Sequence, residues 1–340
     1  MRTSHWSAQV IPAVAGVSAL FVTACSSDRS TGNAVLDQPP VTFSVSSASY
    51  AGANRVSPEA ALKGSKLFYS IPILESKLAA SRARPRHTLV QSPFDLTFHG
   101  GPVVTHATNW NIYVNCPLGP AACWGTGNLT PKTFLRDFDA SSMIEIMGQY
   151  LGEDPTGRFR QVNELATTVQ FPIDTADNTP TAGFQDIFAV LFAAASFTGK
   201  SGYDNIYHVF LPQGTNMCQA ATVCYSPNNP STEVFCAFHG SVDFGQNFHV
   251  LYSVQPYQGT DVCALPNQTR LIDGTASTLS HEFSETITDP DLDAWFNNLT
   301  ENEVADLCFV FRNPERVNSH EYVIQEEYSN TVNDCTDGAF

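Results

Sequence analysis

Hydrophobic spacing divides the middle of the chain into alternating strand-like and helix-like segments. Residues 110–114 alternate as the side chains of a strand do. Thr130-Pro131 combines a capping residue with a first-turn proline, which predicts the start of a helix. That helix carries an apolar stripe made of Phe134, Leu135, Phe138, Ile144, Met147 and Leu151. A second helix, over residues 181–197, is apolar nearly all round, so we expect it to be buried behind a sheet.

Further segments complete the predicted fold. Strand-like runs cover residues 205–211, 232–239 and 248–254, and a helix opens at Gly274-Thr275. Residues 322–328 alternate again, which predicts a last strand. Strands and helices in this order predict an α/β (α+β) fold in which a twisted sheet is covered by a backing helix and by a second helix that carries the candidate site.

Candidate chemistry is concentrated in residues 279–290, which contain no Gly and no Pro before the last position. In a helix, the four-residue spacing places His281, Glu285 and Asp289 on one face. An imidazole and a carboxylate one turn apart can bind one metal ion without bending the backbone. Glu282 is rotated out of that row, where an unbound carboxylate can take a proton from metal-bound water. The alternative is an ordinary solvated polar face, because a bare His-Glu-x-x-Glu is common in helices.

The motif continues beyond Glu285 in a way that resembles thermolysin-like metallopeptidases. Their zinc helix runs His-Glu-x-x-His-x-x-Thr-Asp, and this chain has Thr288-Asp289 at the matching positions but Glu285 in place of the second histidine. In that family a later Asn-Glu-x-x-x-Asp helix supplies the third ligand. Asn302-Glu303 matches its beginning, whereas Asp306 lies one residue closer than the pattern requires. We expect Asp306 to support the site as a further acid or to cap the backbone beside Cys308.

The resemblance implies a metal centre ligated by His281, Glu285 and Glu303, with Glu282 as the general base. Asp289 has two roles open to it, because it can orient His281 or replace Glu303 as the third ligand. One imidazole and two carboxylates bind zinc less tightly than the usual two-histidine set, so calcium or manganese competes better.

The implied reaction is metal-assisted hydrolysis of an amide bond in a peptide or protein substrate. His320 and Tyr322 are candidate donors to the developing oxyanion, although each also fits an ordinary strand residue. For the remaining histidines we expect a packing role; they are His99, His106, His208, His239 and His249.

Charge and composition limit the class of partner. The chain has 340 residues, 43% of them hydrophobic, and a formal net charge of −16. This acidity makes nucleic acid and anionic membrane surfaces poor partners. From Ser201 onward Arg270, Arg312 and Arg316 are the only Lys or Arg residues, so the field around the candidate site attracts cations. The alternative is that the acidity only keeps an exported protein soluble. We expect a monomer.

The N-terminus has the pattern of a targeting segment. Arg2 is followed by an apolar run over residues 10–22 that is too short to span a bilayer. Val22-Thr-Ala-Cys25 resembles a bacterial lipobox, which predicts a signal peptide over 1–24 and a lipid-modified Cys25 in the cell envelope, at the outer membrane. Ordinary cleavage near Ala24, followed by secretion, is the alternative. Residues 25–92 are predicted to form a tether and N-terminal arm, and 93–340 the globular domain.

Cysteine usage agrees with export. Of nine cysteines, removal of Cys25 leaves eight, an even number that allows four disulfides. Cys116 with Cys123 and Cys308 with Cys335 are the pairs we expect, since each closes a local loop.

Scattered blocks of the sequence resemble the Exordium-like, or phosphate-induced, protein family. They are Gly100–Val104, residues 111–114, Leu279–Pro290, Asp306–Cys308 and Tyr322–Ser329, followed by Cys335. The resemblance implies an exported protein. The order of strand, helix, buried helix, strand, strand pair and site helix is similar to that of zincin peptidases, which is an analogy at the level of the fold.

Two other functions stay open at this point. One is a non-catalytic, surface-anchored binding protein in which the acids hold a structural calcium ion. The other is a growth-modulating protein without a metal, similar to the plant members of the Exordium-like family.

Overall fold

A computed structural model describes most of the chain. The described residues are 39–57, 61, 65–69, 92–116, 118–124, 129–229, 231–245, 247–258, 263, 270–308 and 311–338. The predicted signal peptide and the lipid-modified Cys25 lie outside them, as do residues 70–91 of the predicted tether and arm.

The helices are α1 (Ser47–Ala53), α2 (Pro120–Cys123), α3 (Pro131–Phe138), α4 (Ser142–Leu151), α5 (Phe184–Thr198) and α6 (Leu271–Thr288). The strands are β1 (Val41–Thr42), β2 (Ser65–Tyr69), β3 (Thr97–Phe98), β4 (Thr108–Val114), β5 (Val162–Thr167), β6 (Ile173–Asp174), β7 (Thr179–Gly183), β8 (Asn205–Phe210), β9 (Asn216–Ala220), β10 (Val223–Tyr225), β11 (Phe235–Asp243), β12 (His249–Gln255), β13 (Trp295–Phe296), β14 (Phe311–Val317), β15 (His320–Gln325), β16 (Glu327–Ser329) and β17 (Asp334–Thr336).

A seven-stranded mixed sheet is the centre of the fold, with the strand order β1-β5-β4-β8-β12-β11-β2. The first five strands of that order run parallel, and β11 and β2 each run antiparallel to the preceding neighbour. β1 and β2 belong to this sheet although they precede residue 93, where the sequence predicts the globular domain to begin. The predicted mixture of strands and helices in an α/β fold is confirmed.

The sheet is buried on both faces because helices cover each of them. Every residue of β8 is buried, as expected for a central parallel strand. Tyr207 and Val209 belong to the hydrophobic core that contains α5, whereas Ile206 and Phe210 belong to the core that contains α6. This alternation with a period of two places α5 behind the sheet and α6 in front of it.

The predicted helix from Thr130 is divided in two. Thr130 caps α3 as predicted, since its hydroxyl accepts the N–H of Thr133 at 3.3 Å. The chain then leaves the helix at Asp139, whose carboxylate accepts the N–H of Phe159 at 2.7 Å. Ser141 starts α4 in an extended conformation. The apolar stripe is therefore correct, but the polar residues between its two halves bind neighbouring loops instead of extending one helix.

Other differences have local causes. α5 is buried as predicted but begins at Phe184, because residues 179–183 form β7. The predicted last strand is interrupted at Glu326, where β15 ends and β16 begins. β5 is absent from the prediction because Asn163 and Glu164 interrupt its apolar run. Glu164 is nevertheless buried, and Lys132 pairs with it at 3.2 Å.

Four disulfides join the eight cysteines after Cys25. The two predicted pairs, Cys116–Cys123 and Cys308–Cys335, are confirmed. The others are Cys218–Cys224 and Cys236–Cys263. Four disulfides suggest an oxidising, extracellular location. A search of the described residues for a helix long and apolar enough to cross a membrane finds none.

His208 is buried and neutral between two polar neighbours. The side-chain amide of Asn109 donates to Phe159, so its oxygen accepts a hydrogen from His208 Nε2 at 3.0 Å. The Ser253 hydroxyl lies 2.8 Å from Nδ1 and donates to it. Burial lowers the pKa of His208 from 6.5 to about 3. The unfolded chain therefore binds a proton that the folded chain does not bind between these two values.

This pKa predicts how stability depends on pH. The contribution of His208 is fully present above the unfolded pKa of 6.5 and is lost as the pH falls towards 3. Between pH 6 and pH 4 the free energy of unfolding should fall by up to about 1.4 kcal/mol per pH unit from this residue. Urea denaturation across that range measures the slope, and His208→Gln should reduce it by that amount. An identical slope in the two proteins would contradict the assignment.

Candidate metal centre

α6 is buried along its whole length after Leu271. Its apolar ridge of Leu279, Phe283 and Ile287 belongs to the core in front of the sheet. There the Phe283 ring meets the rings of Phe138 and Phe159 edge-on, at centroid distances of 6.0 and 5.3 Å. The opposite ridge, with His281 and Glu285, is also buried, so the alternative of a solvated polar face is wrong.

Local polar contacts explain why this helix tolerates burial. It begins at Leu271, three residues before the predicted start, and Arg270 binds the carboxylate of Asp273 in its first turn with two nitrogens, at 3.1 and 2.6 Å. Five of its hydroxyl residues, Thr275, Thr278, Ser280, Thr286 and Thr288, donate back to helix carbonyls; for example, Thr286 donates to Glu282 at 2.6 Å. The helix therefore satisfies these polar groups within itself and its first turn.

His281 and Glu285 meet as their spacing predicts. Nε2 of His281 lies 3.2 Å from Oε1 of Glu285 and 3.8 Å from Oδ1 of Asp306. These three buried residues form the first group whose ligand atoms all lie within 4.8 Å of one another. We call it the His281 group.

A second group forms around His239, a residue for which the sequence predicts only packing. On β11 its neighbour Phe238 enters the core behind the sheet, so His239 points to the other face, towards α6. Its Nδ1 lies 3.2 Å from Glu282 Oε2 and 3.3 Å from Glu285 Oε2, and its Nε2 lies 3.5 Å from Glu303 Oε1. His239, Glu285 and Glu303 have ligand atoms within 4.8 Å of one another and form the His239 group.

Glu303 and Asp306 reach the site from a loop, not from the helix that the resemblance implies. Residues 301–308 are extended and turn-like. Asp306 accepts the N–H of Glu303 at 3.3 Å and donates its own N–H to Glu285 Oε1 at 3.2 Å. The loop ends at Cys308, which is bonded to Cys335. These contacts hold both acids beside α6.

Gln325 sets the orientation of the His281 ring. Its side-chain nitrogen donates to the carbonyls of Ala305, at 2.6 Å, and Cys308. Its oxygen is therefore turned towards His281 Nδ1, at 3.4 Å, and can accept a hydrogen from it. This leaves Nε2 directed at Glu285 and Asp306. An imidazole held at one nitrogen and facing carboxylates with the other is the usual state of a metal-ligating histidine.

Asp289 lies in neither group. It follows α6 with φ −148° and ψ 61°, and its Oδ1 accepts the N–H groups of Asp293 and Ala294, each at 2.7 Å. Burial raises its pKa, and these two hydrogen bonds oppose the rise. Asp289 therefore caps the turn after the helix. The contact with His281 Nδ1 that the sequence assigns to Asp289 is made by Gln325.

His320 and Tyr322 are gathered around a different acid. His320 Nδ1 lies 2.6 Å from Asp137 Oδ2, and the Tyr322 hydroxyl donates to the same oxygen at 2.9 Å. Asn318 donates to the other oxygen of Asp137 at 3.1 Å. His320 and Tyr322 thus connect β15 to α3, and in the described part of the chain their polar atoms bind Asp137 instead of Glu282.

Electrostatics show that the cluster favours positive charge. Burial lowers the pKa of His281, but Glu285 and the neighbouring acids outweigh it and raise the pKa to about 10. Burial also lowers the pKa of His239, but the negative charges of Glu303, Glu282 and Glu285 have the larger effect. They raise the pKa of His239 well above its usual range. Each imidazole therefore gains stability from a cation between it and the carboxylates, either a proton or a metal ion.

Glu282 and Glu285 differ in the direction in which their pKa values are shifted. Burial raises the pKa of Glu282 to about 7, against the opposing effect of His239 and His281. Burial also raises the pKa of Glu285, but His281 and His239 lower it by more and hold the pKa below its ordinary value. Glu285 is thus the permanent anion of the cluster, and Glu282 is an acid that can exchange a proton near neutral pH.

A cavity of about 350 Å³ adjoins the cluster, lined by Asp289, Leu292, Phe296, Glu301 and Glu303. Glu303 also belongs to the His239 group. The cavity therefore lies at the edge of the buried site, on its acidic side.

Comparison with known proteins finds no matching protein-family model, no matching curated protein and no matching solved structure.

Gln325 offers a test of the His281 group. Gln325→Ala should weaken the binding of Zn²⁺ about 10- to 100-fold, because the His281 ring loses the acceptor that holds it. Isothermal titration with the metal-free protein measures the effect. Gln258→Ala is a matched control, since Gln258 is also buried and donates to two carbonyls, at 2.8 Å each. Equal losses in the two variants would mean that only general stability has changed.

Proposed function

We propose that this protein is an exported, metal-dependent hydrolase that cleaves amide bonds in peptides or proteins. The observation that carries the proposal is the position of Glu282. Its Oε2 lies 3.2 Å from His239, while Oε1 is buried and accepts no hydrogen bond from any side chain or N–H in the described part of the chain. A spare carboxylate oxygen beside two possible metal-ligand groups is what a general base requires.

The ligand set supports a metal that accepts both nitrogen and oxygen. Either the His281 group or the His239 group would hold it, and zinc is our first choice, with manganese or calcium as competitors. A bound divalent ion of this kind polarises a carbonyl and acidifies water.

Residues of the chain would supply the remaining steps. Glu282, with a pKa of about 7, would take the proton at Oε1 near neutral pH and later donate it to the leaving amine. Glu285 stays ionised and fixes both imidazoles. The cavity beside Glu303 would admit the scissile bond, and its lining of acids with Leu292 and Phe296 would exclude bulk water from one side.

Export and anchoring form part of the same proposal. We propose that Cys25 carries a lipid that holds the protein at the bacterial outer membrane; the four disulfides agree with that oxidising location. The resemblances to the Exordium-like family and to zincin peptidases support an exported protein with a metal helix. The mixed sheet with α6 on one face and α5 on the other is compatible with the zincin analogy.

A non-catalytic binding protein is the second candidate, and burial favours it. The side chains of His239, His281 and Glu282 are 0% exposed. A site closed to this degree is typical of a structural ion, which stabilises the fold by RT ln(1 + [L]/Kd), about 2.7 kcal/mol at 100-fold excess over Kd. In that case a chelator lowers the melting temperature and no peptide is cleaved.

Glu282→Gln distinguishes the two candidates. The variant should lose at least about 100-fold in cleavage of casein or of a peptide library, because the amide cannot take a proton. Its metal content should stay at the wild-type value. Glu233→Gln is the matched control, since burial also raises the pKa of that buried glutamate to about 7 and it lies in neither ligand group.

Three results separate the possibilities. Cleavage that depends on Glu282 and on metal supports the hydrolase. Metal bound to a wild-type protein that cleaves nothing supports the binding protein. Purified protein without metal, with an unchanged melting temperature after metal addition, contradicts both and favours the growth-modulating function without a metal.

A further inference from the structure

The two ligand groups have only one residue in common. The His281 group contains Glu285 and Asp306, the His239 group contains Glu285 and Glu303, and neither contains both histidines. Each group alone offers one imidazole and two carboxylates, a complete set of protein ligands for one divalent cation. The cluster therefore has enough ligands for two ions.

Glu285 faces the two groups with different oxygens. Oε1 lies 3.2 Å from His281 Nε2, and Oε2 lies 3.3 Å from His239 Nδ1. A carboxylate whose two oxygens are directed at two separate ligand sets has the geometry of a bridging ligand. In two-metal sites the ions lie roughly 3.5–4 Å apart, a spacing that one carboxylate can span.

Charge and burial agree with two cations. In the described part of the chain, Glu282, Glu285, Glu303 and Asp306 lie around the imidazoles of His281 and His239, and all of these residues are buried. Buried carboxylates are strongly destabilising unless opposite charge lies beside them. With an ion in only one group, the other group still holds an imidazole facing carboxylates. With two ions, the carboxylates of both groups have a metal cation beside them.

Supporting contacts also come as two sets. The His281 ring is held at Nδ1 by Gln325, and Asp306 is held through the N–H of Glu303. On the other side, His239 is fixed on a central stretch of β11, between β12 and β2. The two histidines are therefore positioned by different elements, α6 and β11, whereas a single loop supplies Asp306 to one group and Glu303 to the other.

We propose that the cluster is a dinuclear centre that binds two divalent cations, with Glu285 as the bridging ligand. One cation is held by His281 and Asp306, and the other by His239 and Glu303. This inference rests on the proposed metal centre, and it extends it from one ion to two.

Titration of the metal-free full-length protein with Mn²⁺, followed by electron paramagnetic resonance, tests this inference. We expect two equivalents of Mn²⁺ and an exchange-coupled spectrum, because a bridging carboxylate couples the two ions. Elemental analysis after loading with Zn²⁺ should give the same stoichiometry of two. Neither measurement depends on a substrate, and both use the wild-type protein.

Variants assign the two positions. Asp306→Asn and Glu303→Gln should each reduce the stoichiometry from two ions to one and convert the coupled spectrum to the six-line spectrum of an isolated ion. Asp139→Asn is the matched control, since Asp139 is another buried acid that accepts a backbone N–H, and it should keep two ions. Melting temperatures identify any variant that fails to fold, and the wild-type spectrum is interpretable without it.

The outcomes of this experiment are separable from those for the hydrolase. One equivalent of Mn²⁺ with an isolated-ion spectrum overturns the dinuclear centre, even when cleavage that depends on Glu282 persists. Two coupled ions in a protein that cleaves nothing support the dinuclear centre and contradict the hydrolase. No bound metal overturns both.

Discussion

The buried carboxylate of Glu285, placed between two imidazoles, is the interaction on which the rest of the site depends. A charge removed from water is stable only when opposite charge and hydrogen-bond donors surround it. Here His281, His239 and the N–H of Asp306 fulfil that requirement, at 3.2, 3.3 and 3.2 Å. Removal of any one of these partners leaves the charge of Glu285 less compensated. The stability of the site therefore depends on the packing of the sheet, which carries His239, with the helix and the loop.

The elements around Glu285 are therefore supports for a charged centre as much as parts of a core. The loop with Glu303 and Asp306 is fixed by Gln325, by the Cys308–Cys335 disulfide and by a hydrogen bond from the Tyr328 N–H to the Val304 carbonyl at 3.0 Å. A disulfide limits the states of the unfolded chain, so the Cys308–Cys335 bond stabilises the folded position of this loop.

Burial of this site has two opposite effects on its reactivity. A dry environment strengthens every electrostatic interaction and moves the pKa of Glu282 to about 7, which suits proton transfer near neutral pH. The same environment restricts access, because the side chains of the cluster are buried and the cavity beside it is reached at Glu303. The balance between these two effects is what separates a hydrolase from a protein that merely holds ions.

The sequence by itself determined the local part of this arrangement. Helical periodicity was sufficient to pair His281 with Glu285 and to separate them from the apolar ridge of Phe283, and loop closure was sufficient for two of the disulfides. Only the tertiary structure decided that His239 faces α6, that Gln325 rather than Asp289 holds the His281 ring, and that Glu303 and His281 fall in different groups. Those contacts join residues 20 or more positions apart, such as Asp306 and Glu285, which are separated by 21. Spacing along one element fixes which side chains share a face, whereas contacts between elements depend on how the sheet, the helix and the loop pack, and no local pattern encodes that.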